Sequence, residues 1–297
     1  MLRLKGHRLC VRALSFAPTA APLLASTGDD RSIRLWNPQT GEESARIPSR
    51  RDALLSLAFS PDGQLLAAGG RAGSLTIWNR NGGLQFPRTT PDICPVAYLA
   101  FTTAGRALLI GLRSPDYGRG YGNLLCWNLD PPEPIRRLGW NGDLQYAAFC
   151  PHRQLLAIAN HHCQVELWPT DRERQNPLLR LQCQIHALAF LPPPLSWLAC
   201  ASGRVVYLCD YASHRIIHAC HGHRADIRTL AISPDGNWML SGGLDGTVHL
   251  WETATGRSLA AWNWDIGAIF AVDFSPDGMT AAAGGLRADL VVWDIDP

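Results

Sequence analysis

The feature that most constrains the fold is a short segment that recurs along the whole chain at almost constant spacing. Each copy places apolar residues before a tryptophan or, in one copy, a cysteine. The copies are IRLWN, LTIWN, LLCWN, VELWP, VYLCD, VHLWE and LVVWD, with key residues Trp36, Trp78, Trp127, Trp168, Cys209, Trp251 and Trp293. Successive key residues lie 42, 49, 41, 41, 42 and 42 positions apart. Such a period predicts an array of similar units that pack on their neighbours.

Three further patterns repeat in phase with these segments. An alternating apolar stretch such as LLSLAFSPDG ends in a Pro-Asp-Gly turn, a stretch of small residues such as LLAAGG follows it, and a Thr-Gly or Asn-Gly turn comes after the tryptophan. Alternation with period two is typical of β-strands, and these Gly-containing sequences are typical of tight turns. Each unit therefore predicts four short strands, and the sequence shows no long helical periodicity.

This combination of markers resembles the WD-repeat (WD40) family, the β-propellers related to the G-protein β subunit, over essentially the whole chain. The resemblance implies an all-β fold, a seven-bladed β-propeller with four antiparallel strands per blade. The last unit stops after its third strand at VVWDIDP, and the first residues, MLRLKGH, look like a fourth strand. We therefore expect residues 1–5 to complete the seventh blade, so that residues 1–297 form a single propeller.

The composition fits a soluble globular protein with a sizeable core. The chain has 297 residues, of which 46% are hydrophobic and 18% charged, and its formal net charge is +2. No apolar run is long enough to span a membrane, and the first residues lack the apolar segment of a secretory signal, so we expect a cytoplasmic protein without membrane association. The small net charge disfavours nucleic acid as a partner.

Two units contain a Ser/His/Asp set, which could suggest a hydrolase. The set occurs twice with the same spacing and includes a tryptophan each time, which a catalytic site would not need. The resemblance implies instead a buried structural hydrogen-bond tetrad, in which His links Asp to Ser and the indole N–H is the final donor. The tetrads are His7, Ser26, Asp30 and Trp36 in unit one, and His223, Ser241, Asp245 and Trp251 in unit six. The Asp position of the other units is Ala72, Tyr121, His162, Gly203 or Arg287.

Two histidine-rich stretches, HRIIHACHGH (214–223) and HHC (161–163), raise the question of a metal site. On a strand, His214 and His218 would share a face but lie roughly 13 Å apart at about 3.3 Å per residue, and His223 already belongs to a tetrad. No glycine-rich phosphate loop stands in a strand–loop–helix context. We therefore predict neither a metal nor a cofactor.

A partner is expected on the face around the narrow mouth of the channel, where the family most often binds peptides. In the family fold, the loop before the first strand of a blade and the turn between its second and third strands lie on this face. The mapped candidates are Arg12, Leu55, Arg71, His161, His186, Arg228, Leu244, Phe270 and Leu286. The leucines and Phe270 form a predicted apolar sector bordered by the arginines. Alternatively, Phe270 plugs the channel and the leucines pack under loops.

The one irregular spacing of 49 residues marks an insertion in unit three. The extra residues fall between the predicted strands ALLIGL and NLLCW, so Ser114 to Gly122 should rise from the same face. Tyr117, Arg119 and Tyr121 are residue types that bind partners well when a loop presents them. An ordinary solvated insertion is the alternative, because loops tolerate added length at little cost.

These patterns together predict a non-catalytic scaffold for a protein or peptide partner, either as a whole protein or as the propeller part of a larger protein or complex. The alternative is a propeller that binds a small ligand or acts as an enzyme at the channel mouth. Its candidate side chains are Asp143, His161, His186 and Asp226.

Overall fold

The computed structural model describes residues 1–19, 21–49, 52–79, 83–90, 94–113, 122–142, 144–169, 177–180 and 184–296. All regular secondary structure in these residues is β-strand. The strands are β1 (Leu2–Leu4), β2 (Val11–Phe16), β3 (Leu24–Gly28), β4 (Ser32–Trp36), β5 (Glu43–Pro48), β6 (Leu54–Phe59), β7 (Leu65–Gly70), β8 (Ser74–Asn79), β9 (Leu84–Thr89), β10 (Val96–Phe101), β11 (Ala107–Leu112), β12 (Gly122–Asn128), β13 (Arg136–Gly142), β14 (Tyr146–Cys150), β15 (Leu155–Ala159), β16 (Gln164–Pro169), β17 (Pro177–Arg180), β18 (Ile185–Phe190), β19 (Trp197–Ser202), β20 (Val205–Asp210), β21 (Arg215–His221), β22 (Ile227–Ile232), β23 (Trp238–Gly243), β24 (Val248–Glu252), β25 (Ser258–Trp262), β26 (Ile269–Phe274), β27 (Thr280–Gly285) and β28 (Leu290–Asp294).

The strands form seven four-stranded antiparallel sheets, and each sheet is one blade of a β-propeller. Blades one to six take four consecutive strands each, from β2–β5 to β22–β25. The first strand of every blade contacts the first strands of both neighbouring blades, which closes a ring around the central channel. The all-β, seven-bladed fold predicted from the sequence is confirmed.

The seventh blade joins the two ends of the chain. Its strand order is β1-β28-β27-β26, with Leu2 opposite Val292 and Leu4 opposite Leu290. Leu4 is only 1% exposed, and the Arg3 guanidinium donates to the carbonyl of Trp264. The N-terminal strand therefore closes the last blade as predicted, and the pairing removes two open sheet edges.

The turns between first and second strands follow from the Ser-Pro-Asp-Gly sequence. In blade two, the Ser60 hydroxyl donates to Asp62 Oδ1 at 2.5 Å, and the same oxygen accepts from the backbone N–H of Gln64 at 3.0 Å. Gly63 has φ +66°, a conformation that costs a residue without a Cβ very little. The Asp side chain thus satisfies the turn backbone that the strands leave unpaired.

Side chains on the inner strands also tie neighbouring blades together. The Ser56 hydroxyl on β6 donates to the carbonyl of Val96 on β10 at 2.8 Å. At the closure of the ring, Asp273 Oδ2 on β26 accepts from the backbone N–H of Phe16 on β2 at 2.8 Å. Burial raises the pKa of Asp273 to about 7, although the N–H groups of Phe16 and Phe274 act to lower it. These bonds add directional contacts to the apolar packing between blades.

Candidate partner-binding face

In six blades the inner strand has a β-bulge at its second residue. In blade one, Val11 lies opposite Gly28 and Ala13 lies opposite Thr27, so that Arg12 is left without a partner in the ladder. The residues in this bulged position are Arg12, Leu55, Ala97, His186, Arg228 and Phe270. A bulge re-aims a side chain out of the regular alternation. Five of the residues predicted for partner binding therefore have a common structural origin.

A backbone hydrogen bond brings the turn between the second and third strands to each bulge. The N–H of Asp29 donates to the carbonyl of Cys10 at 3.0 Å, and the N–H of Leu286 donates to that of Ala268 at 2.9 Å. The acceptor always precedes the inner strand. Within each blade this bond brings the first residue of the turn close to the bulged residue. The neighbours are Arg12 and Asp29, Leu55 and Arg71, Arg228 and Leu244, and Phe270 and Leu286. We call these residues, together with His161 and His186, the mouth face.

Side chains of blades seven, one and two form a connected chain on this face. The Arg12 guanidinium lies 4.8 Å from the ring centroid of Phe270. Its Nε and Nη2 donate to Asp29 Oδ2 at 3.0 and 2.6 Å. Arg71 approaches Asp29 Oδ1 at 3.7 Å, and its side chain is 61% exposed. Phe270 is half-buried, and the Arg12 guanidinium packs on its ring.

A second chain of contacts lies on blades four, five and six. Arg228 Nη1 donates to His186 Nδ1 at 3.1 Å, and the ring of Tyr146 meets His186 edge-on with 6.1 Å between centroids. Asp226 lies 3.6 Å from His186 Nε2 and 3.8 Å from Arg228. Burial and the Arg228 charge lower the pKa of His186, which keeps the imidazole neutral as an acceptor.

His186 differs from its expected exposure, because only 8% of it is accessible. The contacts across neighbouring blades that cover it cannot be read from strand alternation. His161, the other predicted histidine, is half-buried and accepts from the side-chain amide of Gln145 at 2.6 Å. Burial, His162 and Arg113 lower the pKa of His161.

The apolar residues of the mouth face are unequally exposed. Leu286 is 53% exposed and Leu244 is 38% exposed. Phe270 and Leu55 are half-buried. The two leucines lie on the turns of blades six and seven, so the exposed apolar surface is concentrated on that side of the channel.

The insertion of blade three falls largely outside the described residues. β11 and β12 are the second and third strands of that blade, and residues 113–121 connect them. Tyr117, Arg119 and Tyr121 lie in the part that is not described, as does Asp143. Their contribution to the mouth face stays a prediction.

The two tetrads of the sequence come together within hydrogen-bonding distance. His7 Nδ1 donates to Asp30 Oδ2 at 2.9 Å, Ser26 Oγ lies 2.7 Å from His7 Nε2, and Trp36 Nε1 donates to Ser26 Oγ at 2.7 Å. His223, Ser241, Asp245 and Trp251 repeat this arrangement at 3.0, 2.8 and 2.8 Å. Both serines are 0% exposed. In blades one and six the tetrad therefore anchors the turn between the second and third strands. It leaves neither serine hydroxyl open to a substrate.

The tetrad carboxylates are held ionised. Burial alone would raise the pKa of Asp245, but hydrogen bonds from Thr247 and the backbone N–H of Arg224 outweigh it and hold the pKa at about 2. The pKa of Asp30 also lies well below its usual range, because His7 and Ser32 outweigh its burial. An ionised carboxylate accepts from several donors at once and thereby fixes the turn next to the mouth face.

Other blades replace the tetrad in ways that the sequence did not reveal. In blade two, Asp52 accepts from the N–H of Ala72 and the hydroxyl of Ser74, so a carboxylate from the opposite loop fixes the turn. In blade seven, Ala283 stands in the Ser position, and Trp293 Nε1 is buried without a hydrogen-bond partner among the described residues. Trp264 packs on Trp293 instead, with 4.5 Å between ring centroids.

The histidines of the histidine-rich stretches each make separate contacts. His214 lies in a turn with φ +57°, and His218 Nε2 donates to the carbonyl of Ala254 at 2.9 Å. His221 is exposed at the end of β21, and His223 belongs to its tetrad. Within the described ranges, no group of three or more His, Cys, Asp or Glu side chains could hold a metal ion. The described part of the chain also contains no helix that is long and apolar enough to cross a membrane.

The seven four-stranded blades and the buried Asp–His–Ser–Trp tetrads form a propeller that resembles those of the WD-repeat class. The model of the WD domain, G-beta repeat (WD40), matches residues 1–37, 42–79 and 214–252. The chain thus carries WD40 repeats in these three places and is similar to the WD-repeat (WD40) β-propeller family.

Similar proteins match over short segments. Coronin-7 of Rattus norvegicus is 45% identical over 64 residues, which are 22% of this chain and 7% of that protein. Coronin-7 of Homo sapiens is 42% identical over 64 residues, with the same shares. Ribosome biogenesis protein erb1 of Aspergillus fumigatus is 58% identical over 38 residues, which are 13% of this chain and 5% of that protein. The matches thus span less than a tenth of the length of these relatives.

Proposed function

We propose that the protein is a non-catalytic scaffold that binds a protein or peptide partner through the mouth face. The observation that carries the proposal is the repeated bulge, which frees one side chain per blade from the ladder at the same end of six inner strands. Repetition of a bulge at one rim is typical of a surface that displays side chains.

The chemistry of these side chains supports a protein partner. Arginine and aromatic residues are enriched at the energetic centres of protein interfaces, and Arg12 and Phe270 stack on each other here. Two hydrogen bonds to Asp29 hold the Arg12 guanidinium in place. A partner therefore meets side chains that lose little conformational freedom on binding.

The insertion of blade three forms part of this proposal. It connects β11 to β12 at the end of the blade where the other turns carry mouth-face residues. We propose that Tyr117 and Arg119, with Tyr121, extend the binding surface. We also propose the cytoplasm as the location, because the cysteines of the described residues are free thiols, as is usual in a reducing compartment.

Site-specific photo-crosslinking tests the scaffold proposal. A photoreactive residue is placed at position 286 on the mouth face, or at position 279 on the opposite end of blade seven, where Met279 is 65% exposed. In extract of the source cells we expect a discrete crosslinked protein from position 286 and none from position 279. Crosslinks of equal yield at both positions, or only at position 279, would refute the mouth face as the binding surface.

A further inference from the structure

We propose that the mouth face binds an acidic peptide segment that carries an apolar or aromatic anchor residue. This inference rests on the proposed function, because it takes the mouth face as the binding surface and names the chemistry of the partner. It depends on two neighbouring areas. The apolar lobe comprises Leu244, Phe270 and Leu286, and the cationic lobe comprises Arg8, Arg31 and Arg71.

Two glycines make the apolar lobe a continuous surface. A Cβ atom on Gly246 would lie 3.2 Å from the carbonyl oxygen of Gly267, and one on Gly267 would lie 3.0 Å from Leu286 Cβ. Both glycines have positive φ, +76° and +74°. The turn of blade six therefore approaches the loop before β26 without an intervening side chain, and this loop lies against Leu286 in the turn of blade seven. Leu244 and Leu286 remain exposed on either side of this contact, with the ring of Phe270 nearby on the rim of the channel.

The cationic lobe lies next to Phe270, on blades one and two. Arg71 is 61% exposed and reaches Asp29 Oδ1 only at 3.7 Å, while Asp29 Oδ2 is already occupied by Arg12. Asp29 Oδ1 makes no hydrogen bond within the described residues. Arg71 therefore has most of its hydrogen-bonding capacity available to a partner carboxylate.

Loops of blade one add two further cations to this lobe. Arg8 and Arg31 are both exposed, and no carboxylate of the described ranges forms an ion pair with either. Arg31 has φ +61° at the turn after β3, next to Asp30 of the tetrad. Arg8, Arg31 and Arg71 are thus three exposed arginines without a close ion pair, while the partly exposed Asp29 already pairs with Arg12.

Two exposed acidic groups on the other side of the apolar lobe are paired with arginine. Asp265 lies 2.5 Å from Arg287, and Asp226 lies 3.8 Å from Arg228. These pairs neutralise each other, so neither Asp226 nor Asp265 offsets the charge of the arginines on blades one and two. A bound segment would place its anchor between Leu244 and Leu286 and its carboxylates toward Arg71, which defines its direction across the mouth.

The apolar lobe distinguishes an acidic peptide from a nucleic acid. Nucleic-acid sites rely on many phosphate contacts spread over a basic surface, whereas the exposed arginines of this face adjoin leucines and the ring of Phe270. The small net charge of +2 also disfavours a nucleic acid. Charge complementarity and apolar exposure together therefore favour a peptide.

Selection from a displayed library of random peptides tests the inference on the full chain. We expect the enriched peptides to combine Asp or Glu with Trp, Phe or Leu. They should lose binding to Leu286→Asp, which puts a charge in the apolar lobe, and keep it with Met279→Asp, a matched change at an exposed apolar residue on the opposite end of the blade.

Charge reversal tests the cationic lobe separately. Arg71→Glu should weaken an enriched acidic peptide about tenfold, and selection on this variant should enrich basic peptides instead. Arg46→Glu is the matched control, because Arg46 is exposed on the outer strand β5, away from the mouth. It should leave the affinity for the peptide within about twofold of the parent.

The outcomes separate this inference from the scaffold proposal. Basic or uncharged peptides that still require Leu286 would refute the acidic partner and leave the mouth face as a binding surface. Peptides that are insensitive to Leu286→Asp, or a selection that enriches nothing, would refute both. Tighter binding of a labelled oligothymidine strand than of any enriched peptide, with loss in Arg71→Glu, would refute the peptide in favour of nucleic acid.

Discussion

The guanidinium of Arg12 lies 4.8 Å from the ring centroid of Phe270, and the two residues occupy equivalent bulges of adjacent blades. The contact spans blades one and seven, the junction at which the ring closes. The same arginine donates to Asp29 through two nitrogens. One side chain thus connects the closure of the ring to the proposed binding surface.

Removal of the Arg12 charge should cost a modest amount of stability. We predict that Arg12→Gln lowers the free energy of unfolding by about 1–2 kcal/mol, because it removes a charged hydrogen-bond donor from the part-buried Asp29 and the cation from Phe270. Urea denaturation measures the change. Arg46→Gln on the outer strand serves as the control and should stay within about 0.5 kcal/mol of the parent. Equal free energies of unfolding for the two variants would show that the contacts of Arg12 with Asp29 and Phe270 do not stabilise the ring.

Loss of a tetrad serine should be more severe. Ser241→Ala leaves Trp251 Nε1 and His223 Nε2 buried without their shared partner, so we predict a loss of about 2–3 kcal/mol. Ser258→Ala, at an exposed serine of the same blade, is the control and should change little. Thermal unfolding measures the loss of stability in both variants. A loss of less than about 0.5 kcal/mol for Ser241→Ala would show that the tetrad contributes little to stability.

The N-terminal strand should contribute strongly to the stability of the ring. Leu4 is 1% exposed and packs in the seventh blade, so Leu4→Ala should cost about 2–4 kcal/mol. Deletion of residues 1–5 should lower the melting temperature further, because it exposes the edge of β28. Deletion of residues 296–297 is the control for a terminal truncation. Equal melting temperatures for the two truncations would contradict a stabilising closure.

Stability should depend on the ionisation of Asp273 near neutral pH. The pKa of this residue is about 7 in the folded protein, above its ordinary value near 4. The folded chain therefore binds more protons than the unfolded chain between these values, and the stabilising contribution is complete below about pH 4 and lost as the pH rises to about 7. Urea denaturation at several pH values measures the effect.

A comparison with Asp273→Asn isolates this contribution from that of the histidines. We predict that the parent loses stability relative to the variant as the pH rises from about 5 to 8, by about 1.4 kcal/mol for each unit of pKa shift that lies within this range. Parallel pH profiles for the two proteins would show that Asp273 titrates normally.

The spacing of the tryptophans predicted repeated four-stranded units, and the resemblance to the WD-repeat family implied their arrangement as a seven-bladed propeller. Each key tryptophan lies at the last or second-last residue of a third strand, and the chain start at Leu2–Leu4 was the fourth strand missing from the last unit. These features are periodic, and periodicity can be read from a single sequence. The departures from it could not be predicted. Asp52 replaces a missing tetrad carboxylate only because the loop before β6 turns it toward Ala72.

The candidate site was predicted by position but not by environment. Strand alternation and the family resemblance identified Arg12 and Phe270, but they did not reveal the bulge that presents both residues. The burial of His186 depends on Arg228 from the next blade, 42 residues away in sequence. Contacts between side chains of neighbouring blades depend on rotamers and blade spacing, which a repeat pattern does not specify.

The bulges determine which positions of such a chain can accept new amino acids without a change of strand register. A residue outside the ladder can be replaced without shifting the register of the strands beside it. The side chains at these positions can therefore be randomised together in an engineered library while the ring keeps its fold. Natural substitution has the same freedom of register, so new binding specificity can arise here through a few point mutations, at a cost in stability where, as at Arg12, the side chain also contacts a neighbouring blade.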